Sequence, residues 1–245
     1  MCGRFAVDED LNALFAEFAI RGGDVHDLGK AVDQPNIPWL EPGLDEKVGL
    51  PRYSIAPTNT IAVAVEKTSG EESIRGLAGA TWGWERSWSN RPITNATKEK
   101  LLTSKTWKPA TLRRRTLIPM TGYYEWVQRD KTKVPYFVHE NKMLAAAGLW
   151  EIQDGQMFVT MITGPGTDAA GEVHPRMPLF VNRDLWSDWL NPIALDETSA
   201  EHLVGDVLSS SVEISAAIAT HEVSRQISFL AKLDPKDKSL IAPVQ

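Results

Sequence analysis

The feature that most constrains this chain is a run of strand-like segments with no helical pattern between them. TLIPM (116–120), YYEWV (123–127), VPYFVHE (134–140), MLAAAGLWE (143–151) and QMFVTMIT (156–163) follow one another closely. They are apolar, carry β-branched or aromatic residues, and are separated by short polar or glycine-containing breaks such as Thr121-Gly122. A parallel crossover needs about a dozen residues or more, so these breaks predict antiparallel neighbours. IAVAV (61–65) predicts a buried strand, SGEE (69–72) a turn and residues 74–82 the return strand. Residues 8–19 predict a helix capped by Asp8, with Leu11, Leu14, Phe15 and Phe18 on its apolar face. Short helices are expected at 97–108, 184–190 and 197–209, a loop at 166–175 and a short strand near 211–214. Strands in the middle with helices at the ends and edges predict an α+β fold with an antiparallel, barrel-like core flanked by helices. The expected organisation is one domain over 1–245. It carries an irregular excursion at 22–51, where five Gly and four Pro fall, and a helical edge region at 184–245.

Composition excludes several classes. One cysteine in 245 residues rules out a disulfide framework and a Cys-rich metal site. No stretch approaches the ~18 apolar residues of a membrane span, and the N-terminus lacks the basic-then-apolar pattern of a signal peptide. The expectation is a cytoplasmic protein. No Gly-rich phosphate loop is present.

Charge is unevenly placed. The chain is −6 overall, yet residues 91–115 hold eight bases and one acid, a local +7. Such a run reads either as a polyanion footprint or as a solvated surface. Nine tryptophans are present, five of them at 82, 84, 88, 107 and 126. Trp is a core side chain or a base-stacking platform. Burial is expected for most, and exposure for Trp88, which lies between Ser87 and Ser89 beside the basic run.

Cys2 is the most informative single residue. Once Met1 is removed, it presents a thiol and a primary amine on neighbouring carbons. The amine has a pKa near ~7.7–8.0 and the thiol is a strong nucleophile. Together they can trap an aldehyde, the amine as a Schiff base and the thiol by closing a thiazolidine. The alternative is a small buried hydrophobe.

The flanking residues form an ordered series along nearly the whole chain. It comprises Met1-Cys2-Gly3-Arg4-Phe5, Arg52-Tyr53-Ser54-Ile55-Ala56-Pro57, Trp82-Gly83 with Trp88, and Asn95-Ala96 with Glu99. Gly122-Tyr123-Tyr124-Glu125-Trp126 and His174-Pro175-Arg176-Met177-Pro178 complete it. This series resembles the SRAP family, the SOS-response-associated peptidases that process abasic sites in DNA. The resemblance implies a Cys2 crosslink to the ring-opened abasic aldehyde in single-stranded DNA, with Asn95 orienting substrate and amine. It implies Glu125 as general acid/base, suited by burial between Tyr124 and Trp126, and His174 as second proton carrier. It further implies autocatalytic Met1 removal and peptidase or lyase-type activity.

DNA contacts implied by the resemblance are Arg4, Lys105 and Arg176 on phosphates, with Pro57 and Trp88 packing on bases. The expected partner is single-stranded DNA or a junction, with no membrane, and the protein is expected to be a monomer. No metal or other cofactor is expected. Two departures touch the DNA face. Thr97 stands where the family has Arg, with Lys98 beside it as a partial replacement. Trp84-Glu85-Arg86-Ser87 departs from the family's usual turn before the tryptophan. Two other classes compete: an N-terminal-nucleophile amidohydrolase of the glutamine amidotransferase kind, and a non-catalytic single-stranded-DNA-binding module.

Overall fold

A computed structural model describes residues 2–20, 37–41, 48–69 and 72–244. Most of the 22–51 excursion lies outside the described residues. In chain order the first elements are β1 (Phe5–Val7), α1 (Leu11–Glu17), β2 (Arg52–Ile55), β3 (Thr60–Ser69), β4 (Glu72–Trp82) and β5 (Asn95–Thr97). Then come α2 (Lys108–Arg113), β6 (Arg115–Arg129), β7 (Thr132–Gln153), β8 (Gln156–Pro165), α3 (Asp168–Val173) and β9 (Arg176–Pro178). The chain ends with α4 (Trp186–Leu190), α5 (Glu197–Ser215) and β10 (Ala219–Glu222), followed by short 3-10 turns.

The architecture is α+β, as the segment order predicts. The sheet order is β10-β7-β8-β4-β3-β6-β1-β2, and β7 also pairs with β6. That second pairing closes a ring of β7, β8, β4, β3 and β6, a barrel-like core. Most pairs are antiparallel, but β8 runs parallel to β4 and β5. β3 and β6 meet in register at Ala64 and Leu117, and the buried Thr116 hydroxyl donates to the Ala64 carbonyl at 2.7 Å. The closing seam thus uses a side chain as well as the ladder.

Two pairs of predicted strands are single strands in the structure. Segments 116–120 and 123–127 join as β6, and 134–140 and 143–151 join as β7. Met120 pairs with Leu144 and Gly122 with His139, so two steps on β6 oppose five on β7. A bulge of this kind bends a sheet sharply. It lets the far half of β7 pair with β8 and the near half with β10. The break that reads as a loop is therefore a bend within continuous strands.

Local corrections have similar causes. Asp10, not Asp8, caps α1, accepting from the Ala13 N–H at 2.8 Å. Asp8 instead accepts from the Tyr53 hydroxyl and from Lys238. The basic helix expected at 97–108 is a 3-10 turn at Lys98–Lys100, and the α-helix begins at Lys108 with Pro109 in its first turn. The loop at 166–175 contains α3, and the strand expected near 211–214 lies inside α5. The serines of that stretch have low helix propensity, but Ser210, Ser211 and Ser215 are buried and bond neighbouring segments.

The basic run is only partly a surface. Arg115 is buried and donates to the carbonyls of Trp189, Thr111 and Asn191, anchoring α4; burial pushes its pKa down to about 10. Lys108 pairs with Glu197. Trp82, Trp84 and Trp107 are core residues, whereas Trp88 is 68% exposed. No helix among the described residues is long and apolar enough to cross a membrane.

Candidate active site around Cys2

The N-terminal strand is laid against β6. Phe5 pairs with Tyr123, Ala6 with Gly122, and the Tyr124 N–H donates to the Arg4 carbonyl at 2.9 Å. Continued by two residues, this register sets Gly3 across from Glu125 and brings Cys2 beside it. On the other side of β6, Gly122 lets β7 come close, because a Cβ there would stand 2.6 Å from the Val138 carbonyl oxygen.

Cys2 is fully buried, and its thiol lies 3.6 Å from the Arg4 carbonyl. Burial first, and the Glu125 charge second, push the thiol pKa well above its ordinary value. Asn95, at the start of β5, donates from Nδ2 to the Cys2 carbonyl at 3.0 Å and to Thr94 Oγ1 at 2.9 Å. Its Oδ1 is buried with no partner among the described residues. β5 reaches this position by pairing with the end of β8, Asn95 opposite Met161.

Glu125 is buried; of its two chain neighbours, Trp126 lines the same cavity, while the Tyr124 hydroxyl donates to the Tyr53 carbonyl. Side chains alternate along a strand. Tyr124 and Trp126 pack with the smaller cluster of Tyr53, Phe137 and Ile227, while Tyr123 belongs to the main core. Tyr123 is a further aromatic near the carboxylate: burial and the charges of Cys2 and Glu125 raise its pKa well above the ordinary value. Sequence reasoning passed over Tyr123, and the period-2 rule applied to β6 is the signal that finds it.

Glu125 and His174 share a cavity of about 710 Å³ with Arg4 and Trp126. His174 follows α3, and the loop is tight because Gly166 lies against the backbone of 174–175. The Arg176 N–H lies 3.0 Å from His174 Nδ1. Arg4 is buried, with one guanidinium nitrogen donating to the Ile227 carbonyl and the group 5.9 Å from the Trp126 ring. Burial holds its pKa below the ordinary value.

The structure therefore brings Cys2, Asn95, Glu125, His174 and Arg4 together. The other DNA-contact candidates are spread around them. Arg176 is bound to Glu99 at 3.0 and 3.1 Å and to the Thr163 carbonyl at 2.6 Å. Lys98 is half-buried next to Thr97, Lys105 is exposed, and Pro57 is half-buried in the turn before β3. Trp88 stands out from the loop closed by the Trp84–Ile93 bridge. Among the described residues no cluster of three or more His, Cys, Asp or Glu could hold a metal ion. Arg225, Ser228 and Phe229 also line the cavity; they lie 100 residues beyond Glu125 in sequence, outside any motif.

A single cysteine seated by an amide, with a carboxylate and an imidazole beside it on an α+β barrel, defines a cysteine-centred α+β protein. Comparison with known proteins makes the class specific. The family model described as SOS response associated peptidase (SRAP) matches residues 1–229, and the chain belongs to that family. It is 25% identical to the abasic site processing protein YedK of Escherichia coli, over 100% of both chains. It is 27% identical to YoqW of Bacillus subtilis, over 83% of this chain and 86% of that one. The match to YMR114C of Saccharomyces cerevisiae is 27% identical over 83% of this chain but spans only 59% of the yeast protein. Both relatives are likewise named abasic site processing proteins. A crystal structure of a Bacteroides thetaiotaomicron protein matches the fold with a TM-score of 0.70 over 100% of both chains, at 16% identity. A phage-related protein of Bordetella bronchiseptica matches with a TM-score of 0.63 over 91% of this chain and 95% of that one.

Proposed function

We propose that this protein processes abasic sites in single-stranded DNA by covalent capture through Cys2. The observation that carries the reading is the Asn95 bond to the Cys2 carbonyl beside the Glu125 carboxylate. Relatives named as abasic site processing proteins support it.

The chemistry follows from the residues. Removal of Met1 frees the Cys2 amine, and Glu125 is the general base for that autoprocessing. The amine adds to the ring-opened C1′ aldehyde to give a carbinolamine, which loses water as a Schiff base. The thiol sulfur then adds to the C=N carbon, and its proton passes to nitrogen. The net change is one C–N and one C–S bond formed and one water released. Proton transfers at the sugar oxygen and the carbinolamine need an acid and a base within reach, roles that Glu125 and His174 take. Asn95 Oδ1 accepts from the amine and keeps its lone pair directed at the aldehyde.

Arg4, Lys98, Lys105 and Arg176 supply phosphate contacts, and Pro57 and Trp88 pack against bases, so recognition is largely independent of sequence. Arg176 has to exchange or share Glu99 to do so. Thr97 lacks the bidentate guanidinium of the family pattern and lowers affinity without touching the capture chemistry.

The test is a denaturing gel of protein whose intact mass confirms Met1 loss, mixed with single-stranded DNA containing one abasic site. A heat-stable adduct is expected that needs both Cys2 and the lesion and is absent with Cys2→Ala. Lack of an adduct from that protein overturns the proposal.

A further inference from the structure

The cavity that holds Glu125 and His174 is also lined by Lys133 of β7 and by Arg225 and Phe229 of the C-terminal segment. The roles assigned above use none of these three. The side chains of Lys133 and Arg225 make no ion pair or hydrogen bond among the described residues. With Arg4, they place three cations against the one carboxylate of Glu125 in a protein of net charge −6. Phe229 is 62% exposed where it lines this polar cavity, and Leu230 beside it is also exposed.

The segment carrying that ring is firmly seated. Ile227 is fully buried, and its carbonyl accepts from Arg4. Trp126 Nε1 donates to Ser228 Oγ at 2.9 Å, and the Phe229 N–H donates to the Gln226 carbonyl at 3.0 Å. A fixed backbone presenting an exposed ring between unpaired cations has the makings of a single-strand platform. Such platforms combine a cationic track for phosphates with aromatic faces for unstacked bases.

We infer that Phe229, Arg225 and Lys133 form a seat for the nucleotide adjoining the captured abasic position. The ring stacks on that nucleotide's base, and the two cations take the flanking phosphates. The inference rests on the reading under Proposed function. It adds a subsite built from the C-terminal segment and β7 on the cavity that Trp126 also lines.

The test uses Cys2→Ala protein, so that only non-covalent binding is read by fluorescence anisotropy. The probe is a single strand with one tetrahydrofuran abasic analogue. It is compared with strands in which the neighbouring base on the 5′ or the 3′ side is also removed. Base removal on one side should weaken binding about fivefold or more, the scale of a lost stacking contact. Phe229→Ala should abolish that sensitivity, since no ring remains to stack on. Arg225→Ala and Lys133→Ala should each reduce the salt slope by about 0.7, the value for one phosphate contact on a single strand. Equal sensitivity to base removal with Phe and Ala at 229, or unchanged salt slopes, overturns the seat. If Met1-processed wild-type protein forms the adduct while this cycle is flat, only the seat falls. If no adduct forms and the strand is not bound, both readings fall.

Discussion

Substitution of Gly122 by alanine tests the central packing argument. Gly122 pairs with Ala6 on one side and His139 on the other, at the bend where β6 and β7 change partners. A Cβ there would stand 2.6 Å from the Val138 carbonyl oxygen, 2.6 Å from Phe137 Cζ and 2.9 Å from His139 Cβ. A comfortable carbon–oxygen contact is about 3.3 Å, so the overlap with the carbonyl is about 0.7 Å. The phenyl ring is itself buried against Tyr124 and His139, and the carbonyl belongs to the ladder, so neither yields freely. Overpacking of this kind costs about 1–3 kcal/mol. At about 2–4 °C per kcal/mol for a chain of this size, the melting temperature should fall by about 2–12 °C. Gly205 in α5 is the control, since a Cβ there meets nothing within 4 Å. Gly205→Ala should stabilise by about 0.5–1 kcal/mol. Calorimetric melts of both variants give the comparison. The adduct rate of Gly122→Ala should fall as well, because Glu125 lies three residues along the same strand. A Gly122→Ala protein that melts within about one degree of wild type, with an unchanged adduct rate, would refute the reasoning.

Further outcomes follow from the same structure. His221 Nε2 lies 2.8 Å from the Ile241 carbonyl, which can only accept, so its Nδ1 must accept from His139 Nε2–H at 3.1 Å while both rings are neutral. Burial first, and the charge of His221 second, lower the His139 pKa from 6.5. The unfolded chain thus binds the proton more readily, and this contribution to stability is full above pH 6.5 and is lost as pH falls through the folded value. Thermal melts should show a decline below pH 6.5 that His139→Gln flattens; an equal decline in both proteins would count against the pair. The one cysteine of this chain should react slowly with iodoacetamide in the Met1-bearing folded protein and rapidly in denaturant, because it is buried and its thiol is held protonated. Equal rates measured by intact mass would contradict that burial. Arg115→Met leaves the carbonyls of Trp189, Thr111 and Asn191 without their donor and should destabilise by about 3 kcal/mol or more, with Arg115→Lys restoring only part. A denaturant midpoint unchanged in Arg115→Met would show that α4 is anchored by its tryptophans alone.

Strand identity was legible because it is a local pattern. IAVAV and QMFVTMIT are apolar runs bounded by turn residues, and they became β3 and β8. Cys2, Asn95, Glu125 and His174 could be nominated from the sequence because each sits in a short motif, and motif order needs no coordinates. The sequence alone could not say that 116–120 and 123–127 form one bent strand, since a bulge is defined by the partner strand it opposes. Nor could it show that Arg115, inside the basic run, is buried. Burial depends on which distant segment arrives, and α4 is the segment that covers Arg115. Glu125 makes the division plain. Its motif nominated it, but nothing local says which residue of a distant strand it meets. Cys2 came beside it only through the pairing of β1 with β6 across more than 100 residues of chain, whereas Tyr123, two residues away on β6, follows from strand alternation alone. Local propensity sets the elements, while register between distant strands sets which side chains meet, and chemistry depends on the meeting.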